Sequence, residues 1–299
     1  MAVKQSKPPK KTSSTAAPPS APPQSPLKSD GRSIRVGIGG WTYPDWRGLF
    51  YPEGLKQDSE LEYASRQLTA IEINGTYHGT QKRESFVKWR EATPDDFIFS
   101  VKASRYATNR KILGESGESI NRFIDSGLEE LGPKLGPLLW EFARTKKFEA
   151  EDFEAFLKLL PATVGKLKLR HVLDVRHDSF KTPEFLALAR KYNAATVYTD
   201  ANDLPSFADA TGDFVYARLM EADAKKITGY SRPQLSTFAS HARAWAAGER
   251  PEGLPYTEPA DKAPKRAPSD VFIYVINGAK ERAPAAAMAL IKLLSSKGK

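Results

Sequence analysis

The chain has 299 residues, 40% of them hydrophobic and 27% charged, with a formal charge of +9 and no cysteine. That length admits one large domain or two ordinary ones with a sizeable core, and the lack of cysteine excludes disulfides, thiol nucleophiles and thiolate metal sites. No apolar run approaches the roughly 20 residues of a membrane-spanning helix. The lysines near the start precede no apolar signal-peptide core, so a cytoplasmic protein without a membrane partner is expected.

Met1 to Asp30 holds seven prolines, six serines, four alanines, five lysines and one aspartate. Such a segment buries too little apolar surface to offset its ordering entropy. Residues 1–32 therefore read as a disordered tail; its first 30 residues carry +4 of the charge, with +5 left for the other 269. The tail serves as a solubilising extension or makes weak contact with nucleic acid. Residues 33–299 read as one domain.

Along that domain the apolar period switches repeatedly between two and 3.6. Strands are expected at Arg35–Trp41, Ala70–Gly75, Phe97–Ala103, Gly136–Phe142, Arg170–His177, Ala195–Ala201, Asp213–Met220 and Asp270–Asn277. Helices are expected at Ser59–Gln67, Arg83–Ala92, Ile120–Leu131, Ala150–Leu160, from Thr182-Pro183 onward, Ser231–Ala247 and Pro284–Leu294. A short or irregular helix is expected after the sixth strand. Ser59 with Glu62, and Ser231 with Gln234, have capping-box spacing, and Thr182-Pro183 is a cap followed by proline at the first helical position. The helix from Arg83 is expected to bury Phe86, Val87 and Trp89. Residues 248–269, with five prolines, form a loop insertion facing away from the usual active-site end.

Eight strand-helix alternations match the (β/α)₈ TIM barrel. A doubly wound open sheet is the alternative, because alternation alone does not close a barrel. Polar residues on one face of strands 2, 3, 5 and 7 favour closure.

Side chains alternate along a strand, so inward positions can be assigned. Glu72 and Asn74 come from strand 2, and Ser100 and Lys102 from strand 3. Asp174 and Arg176 come from strand 5, and Tyr216 and Arg218 from strand 7. Strand 8 ends at Asn277. These lie toward the C-terminal strand ends, where barrels build active sites. Three cations against two carboxylates, with Arg105, Arg110 and Lys111 in the loop above, favour an anionic ligand, since guanidinium forks bind phosphate and carboxylate. A self-satisfied ion-pair layer is the structural alternative. Trp41, Tyr43, Trp46, Tyr51, Tyr77 and His78 in the first two loops suit stacking on a ring, with core packing the plainer role, above all for Trp46.

Only His78, His171, His177 and His241 exist, and none forms a helical metal-binding pair. No cofactor is expected. Composition leaves room for one Mg²⁺ between Glu72 and Asp174 and gives it no positive support. Nor can a serine-histidine-aspartate arrangement be read from the order of residues.

From about Ile34 to Leu294 the chain resembles the YecE-like family, the domain of unknown function numbered 72. The carrying residues are Gly39-Gly40-Trp41-Thr42-Tyr43-Pro44-Asp45-Trp46, Phe50-Tyr51-Pro52 and Glu72-Ile73-Asn74-Gly75-Thr76-Tyr77. Phe99-Ser100-Val101-Lys102-Ala103, Lys134-Leu135-Gly136-Pro137-Leu138-Leu139 and Asp174-Val175-Arg176-His177-Asp178-Ser179-Phe180 follow, then Tyr216-Ala217-Arg218-Leu219 and Gly229-Tyr230-Ser231. The resemblance implies a TIM barrel and brings no established biochemical function. Three departures stand out. Met220-Glu221 replace a common His-Gly, Val275-Ile276-Asn277-Gly278 replace Phe-Asn-Asn-Asp, and Trp140-Glu141-Phe142-Ala143 replace a Gln-Leu-Pro-Pro-like stretch.

Four functions follow from these residues. The first is a barrel, possessing hydrolase- or lyase-type activity if it is an enzyme, that takes a small phosphorylated or carboxylated ligand. In it Lys102, Arg176 and Arg218 hold the anion, Glu72 acts as acid or base, and Asp174 or His177 is the second proton carrier. The others are a nucleic-acid-binding or nuclease-like barrel, a glycosidase using Glu72 and Asp174 with Trp41 as platform, and a non-catalytic receptor or scaffold. The cations crowding both acids argue against the glycosidase. The sequence is silent on oligomeric state.

Overall fold

The computed structural model describes residues 24–29 and 32–296. Eight parallel strands carry the fold: β1 (Arg32–Gly39), β2 (Ala70–Ile73), β3 (Ile98–Lys102), β4 (Leu135–Glu141), β5 (His171–Asp174), β6 (Ala195–Thr199), β7 (Phe214–Leu219) and β8 (Asp270–Val275). Each pairs with the next, and β8 pairs with β1, so the sheet closes into a barrel. Closure removes the open-sheet alternative.

Around it lie α1 (Glu60–Gln67), α2 (Arg83–Glu91), α3 (Arg105–Thr108), α4 (Gly117–Ile124), α5 (Ala150–Leu159), α6 (Pro183–Lys191), α7 (Arg232–Ala246) and α8 (Ala283–Ser295). Most of the expected tail lies outside the described residues. Its end does not: Leu27–Ser29 pairs antiparallel with β1, Leu27 opposite Ile34.

Alternation along the strands builds two apolar layers. Ala70, Ile98, Leu139, Val172, Val197 and Phe272 fill the barrel interior. Ile71, Phe99, Leu138, Trp140, Leu173 and Ala217 face the helices. Pro137 lies within β4. The pairing with β3 shifts between Phe99 and Val101, a bulge that lets proline sit inside the strand. Gly136 is required there, because a Cβ would lie 2.5 Å from Ile98 Cγ2 and 2.8 Å from the Phe99 carbonyl oxygen.

Several helix expectations need correction. The helix expected over Ile120–Leu131 is two pieces: α4 stops at Ile124, and a 3₁₀ segment runs from Leu128 to Lys134. Gly127, at φ 115°, turns the chain between them. No helix is described between β6 and β7. In α2 only Phe86 is buried, while Val87 and Trp89 are half-exposed.

Of the two capping boxes, the one at Ser231 forms: Ser231 Oγ accepts from Gln234 N, and Gln234 Oε1 accepts from Ser231 N. Ser59 is already helical at φ −97°, ψ −3°, at the end of a 3₁₀ turn, and its side chain caps nothing. Thr182 does cap α6, accepting from Phe185 N at 3.2 Å. Ser231→Ala should therefore cost about 1 kcal/mol in urea unfolding, whereas Ser59→Ala should change stability by less than about 0.5 kcal/mol.

Candidate functional site

The inward polar residues converge under the C-terminal mouth of the barrel. Arg218, on β7, is 2% exposed and Glu72, on β2, is 0% exposed. Arg218 Nη2 donates to Glu72 Oε1 at 2.9 Å and Nη1 to Asp174 Oδ2 at 2.6 Å. The second Glu72 oxygen accepts from the Tyr216 hydroxyl at 2.7 Å. Arg176 Nη2 reaches Asp174 Oδ2 at 3.1 Å.

One further carboxylate belongs to this layer. Glu141, at the end of β4 and in register with Asp174, accepts from Lys102 Nζ at 2.6 Å and from Arg176 Nη2. It also lies 3.6 Å from Arg218 Nη1. The expected surplus of one cation is thereby corrected: Lys102, Arg176 and Arg218 face three carboxylates, not two. Leu139 and Glu141 share the inner face of β4, as Val172 and Asp174 share that of β5.

Burial shapes the titration of these groups. Desolvation alone would raise the Asp174 carboxyl, but Arg218 and Arg176 outweigh it and hold it below the usual carboxylate range. Desolvation would likewise lower Arg218, but Glu72, Asp174 and Glu141 reverse the sign and keep it charged. Burial, with Glu72 beside it, pushes the Tyr216 hydroxyl far up, so it stays a proton donor to Glu72.

Above this layer opens a cleft of about 530 Å³. Trp41, Asn74, Lys102, Arg176, Arg218 and Asn277 line it, as does Glu141. Glu72 and Asp174 do not; they lie beneath, turned to Arg218. Tyr77 stands behind Lys102, whose Nζ is 4.1 Å from its ring centre. Burial, then the nearby Glu141, raises the Tyr77 hydroxyl. Tyr43 backs a residue that the strand pattern did not reveal, Lys280. Its Nζ lies 4.7 Å from the Tyr43 ring centre, and its carbonyl accepts from Trp46 Nε1 at 2.9 Å. Lys280 lines the cleft and has no ion pair among the described residues.

His177 and Arg105 lie outside the cleft lining. His177 Nδ1 accepts from Ser179 N at 3.1 Å, capping the short turn Asp178–Phe180, so the ring orders the loop that carries Arg176. Ser179 Oγ in turn accepts from Phe148 N at 2.8 Å, and Phe148 packs on Phe180, tying the loops after β4 and β5 together. Arg105 is exposed, its guanidinium 5.4 Å from the Tyr106 ring centre. Trp89, Gln81, Ile73 and Ile276 complete the wall; Trp41 meets Trp89 edge-on at 5.2 Å.

Proteins of the family described as "Protein of unknown function DUF72" match residues 35–299. The chain belongs to that family. UPF0759 protein YecE of Escherichia coli strain K12 is 26% identical over 147 residues, 49% of this chain and 50% of YecE. UPF0759 protein YunF of Bacillus subtilis strain 168 is 24% identical over 157 residues, 51% of this chain and 54% of YunF. The chain thus spans about half the length of the curated relatives it matches. A DUF72 family protein of Thermotoga maritima, known from its crystal structure, superposes with a TM-score of 0.67 at 23% identity. It covers 88% of this chain and 99% of its own. At that identity the likeness speaks for the barrel alone.

Among the described residues no three histidine, aspartate or glutamate side chains group to hold a metal ion, and no helix is long and apolar enough to cross a membrane.

The depressed Asp174 carboxyl sets a pH signature. In the unfolded chain it titrates near about 3.9 and in the fold lower, so its contribution is complete above about pH 4 and fades as pH falls through the folded value. Urea midpoints measured from pH 7 to 2 should drop more steeply for the native chain than for Asp174→Asn over that acid window. Parallel curves would contradict the assignment.

Proposed function

We propose that the barrel mouth binds a small phosphorylated or carboxylated ligand. The observation that carries this reading is a pair of buried N–H donors, Arg176 Nε and Arg218 Nε, which have no acceptor among the described residues although both side chains line the cleft. A buried guanidinium N–H left unpaired is costly, and a ligand oxygen would satisfy it. With Lys102 and Lys280, the cleft wall presents four cations to one carboxylate, Glu141. Trp41 and Trp89 supply an apolar surface suited to a ring or carbon skeleton attached to the anion.

This reading redistributes the roles. Glu72 and Asp174 are positioning residues, holding Arg218 from below. Glu141 is the carboxylate placed to exchange a proton with a bound ligand, should the ligand be turned over by hydrolase- or lyase-type chemistry. The glycosidase reading loses support, since neither Glu72 nor Asp174 lines the cleft.

Thermal-shift titration of the full chain with inorganic phosphate, a sugar phosphate and a dicarboxylate tests the proposal. At least one should raise the Tm, and both Arg176→Leu and Lys280→Ala should weaken its binding about tenfold or more, which is about 1.4 kcal/mol. Unchanged binding in both variants would defeat it.

A second reading, nucleic-acid binding, is favoured by the loop after β3. Tyr106 and Ile112 are 57% and 49% exposed beside Arg105, Arg110 and Lys111, a basic rim with an aromatic surface next to the mouth. It calls for gel shifts with single-stranded RNA or DNA that fade steeply as salt rises. No shift at low salt removes it.

A further inference from the structure

The opposite end of the barrel carries another guanidinium with a buried N–H group that has no acceptor among the described residues. Residues 248–269, between α7 and β8, are pinned by polar contacts. Arg190 grips Glu258 with two bonds, at 2.9 and 2.7 Å. Arg250 lies 3.4 Å from the Tyr256 ring centre and donates to the Glu258 carbonyl at 2.6 Å. Asp209 accepts from Thr257 N at 2.8 Å and Glu258 N at 3.2 Å. These bonds fix a loop that composition marked only as a tolerated insertion.

Arg266 is the exception. Its Nη1 is shut off from solvent without an acceptor, and it has no ion pair among the described residues. It borders two cavities, of about 300 Å³ and about 490 Å³. Arg250 lines the smaller one and Lys265 lines both. Of the carboxylates nearby, Glu258 is paired with Arg190, Asp213 with Lys168 and Asp270 with Arg170 at 3.3 Å, while Asp209, held by two backbone N–H groups, acts on Arg266 through its charge without an ion pair. Glu249 lines the smaller cavity but is exposed and makes no ion pair among the described residues. A guanidinium N–H shut off from water without an acceptor is costly. Desolvation, the largest influence on Arg266, pulls its pKa down to about 10.

We propose that Arg266, with Arg250 and Lys265, forms a second oxyanion site of the phosphate class at the closed end of the barrel, separate from the mouth. The site would tie the 248–269 loop to the barrel floor when the anion is bound. It stands whether or not the mouth binds an anion.

Calorimetric titration with inorganic phosphate tests it, using the full chain carrying Arg176→Leu to disable the mouth. One equivalent should bind. Adding Arg266→Met should weaken it at least tenfold, while Arg266→Lys, which keeps the charge, should retain part of it. In phosphate-free buffer Arg266→Met should melt no lower than its parent, because the substitution removes a buried N–H group that has no acceptor. Phosphate binding that is absent from the parent, or unchanged by Arg266→Met, overturns the proposal. So does a lowered Tm of Arg266→Met without phosphate, which would mean that the guanidinium is already satisfied within the protein.

Discussion

The Arg218 guanidinium lies out of water at the centre of the barrel, and it is tolerable there only because Glu72 and Asp174 meet it from two other strands. Removing one partner of such a buried pair leaves an uncompensated charge and costs about 3–5 kcal/mol. Strands β2, β5 and β7 must therefore close in one register, since a shift of one residue would turn each of these side chains toward the helices. The apolar interior below would accept several packings of similar volume; the charge layer accepts one. The layer is a constraint on specificity more than a source of net stability.

The same arrangement divides labour between two levels. Below, Glu72, Asp174 and the Tyr216 hydroxyl orient Arg218. Above, Arg176 and Arg218 border the cleft, Lys102 and Lys280 add charge to its wall, and Glu141 stands among them. Fixed donors in a partly dehydrated cleft need little reorganisation when a ligand arrives. Buried carboxylates here are the means by which cations are held still. The loop caps serve the same end: His177 shapes the turn after Arg176, and Trp46 grips the backbone of Lys280.

Much of this was legible in the order of residues, for identifiable reasons. Period-two alternation placed Glu72, Lys102, Asp174, Arg176 and Arg218 on the inner face, because their strands alternate polar with apolar. Glu141 escaped because β4 reads as the continuous apolar run Leu138-Leu139-Trp140, buried on both faces, in which parity is not apparent. Lys280 escaped because it lies beyond the last strand, where its position depends on a bond to Trp46 more than 200 residues away. The caps show the same boundary. Ser231 and Ser59 have equal local spacing, but a preceding 3₁₀ turn places Ser59 in helical geometry and leaves it no role. Arg266 sits in a proline-rich segment whose order depends on Arg190 and Asp209 from other elements, which no local pattern signals.

A crystal of the full chain soaked in tungstate, an oxyanion whose metal scatters anomalously, tests the central claim most directly. The account predicts an anomalous peak in the mouth within hydrogen-bond reach of both Arg176 Nε and Arg218 Nε, with Lys280 turned toward it and Glu72 still bound to Arg218. A mouth free of anomalous density, with both Nε groups satisfied by ordered water or by protein oxygens, would contradict it.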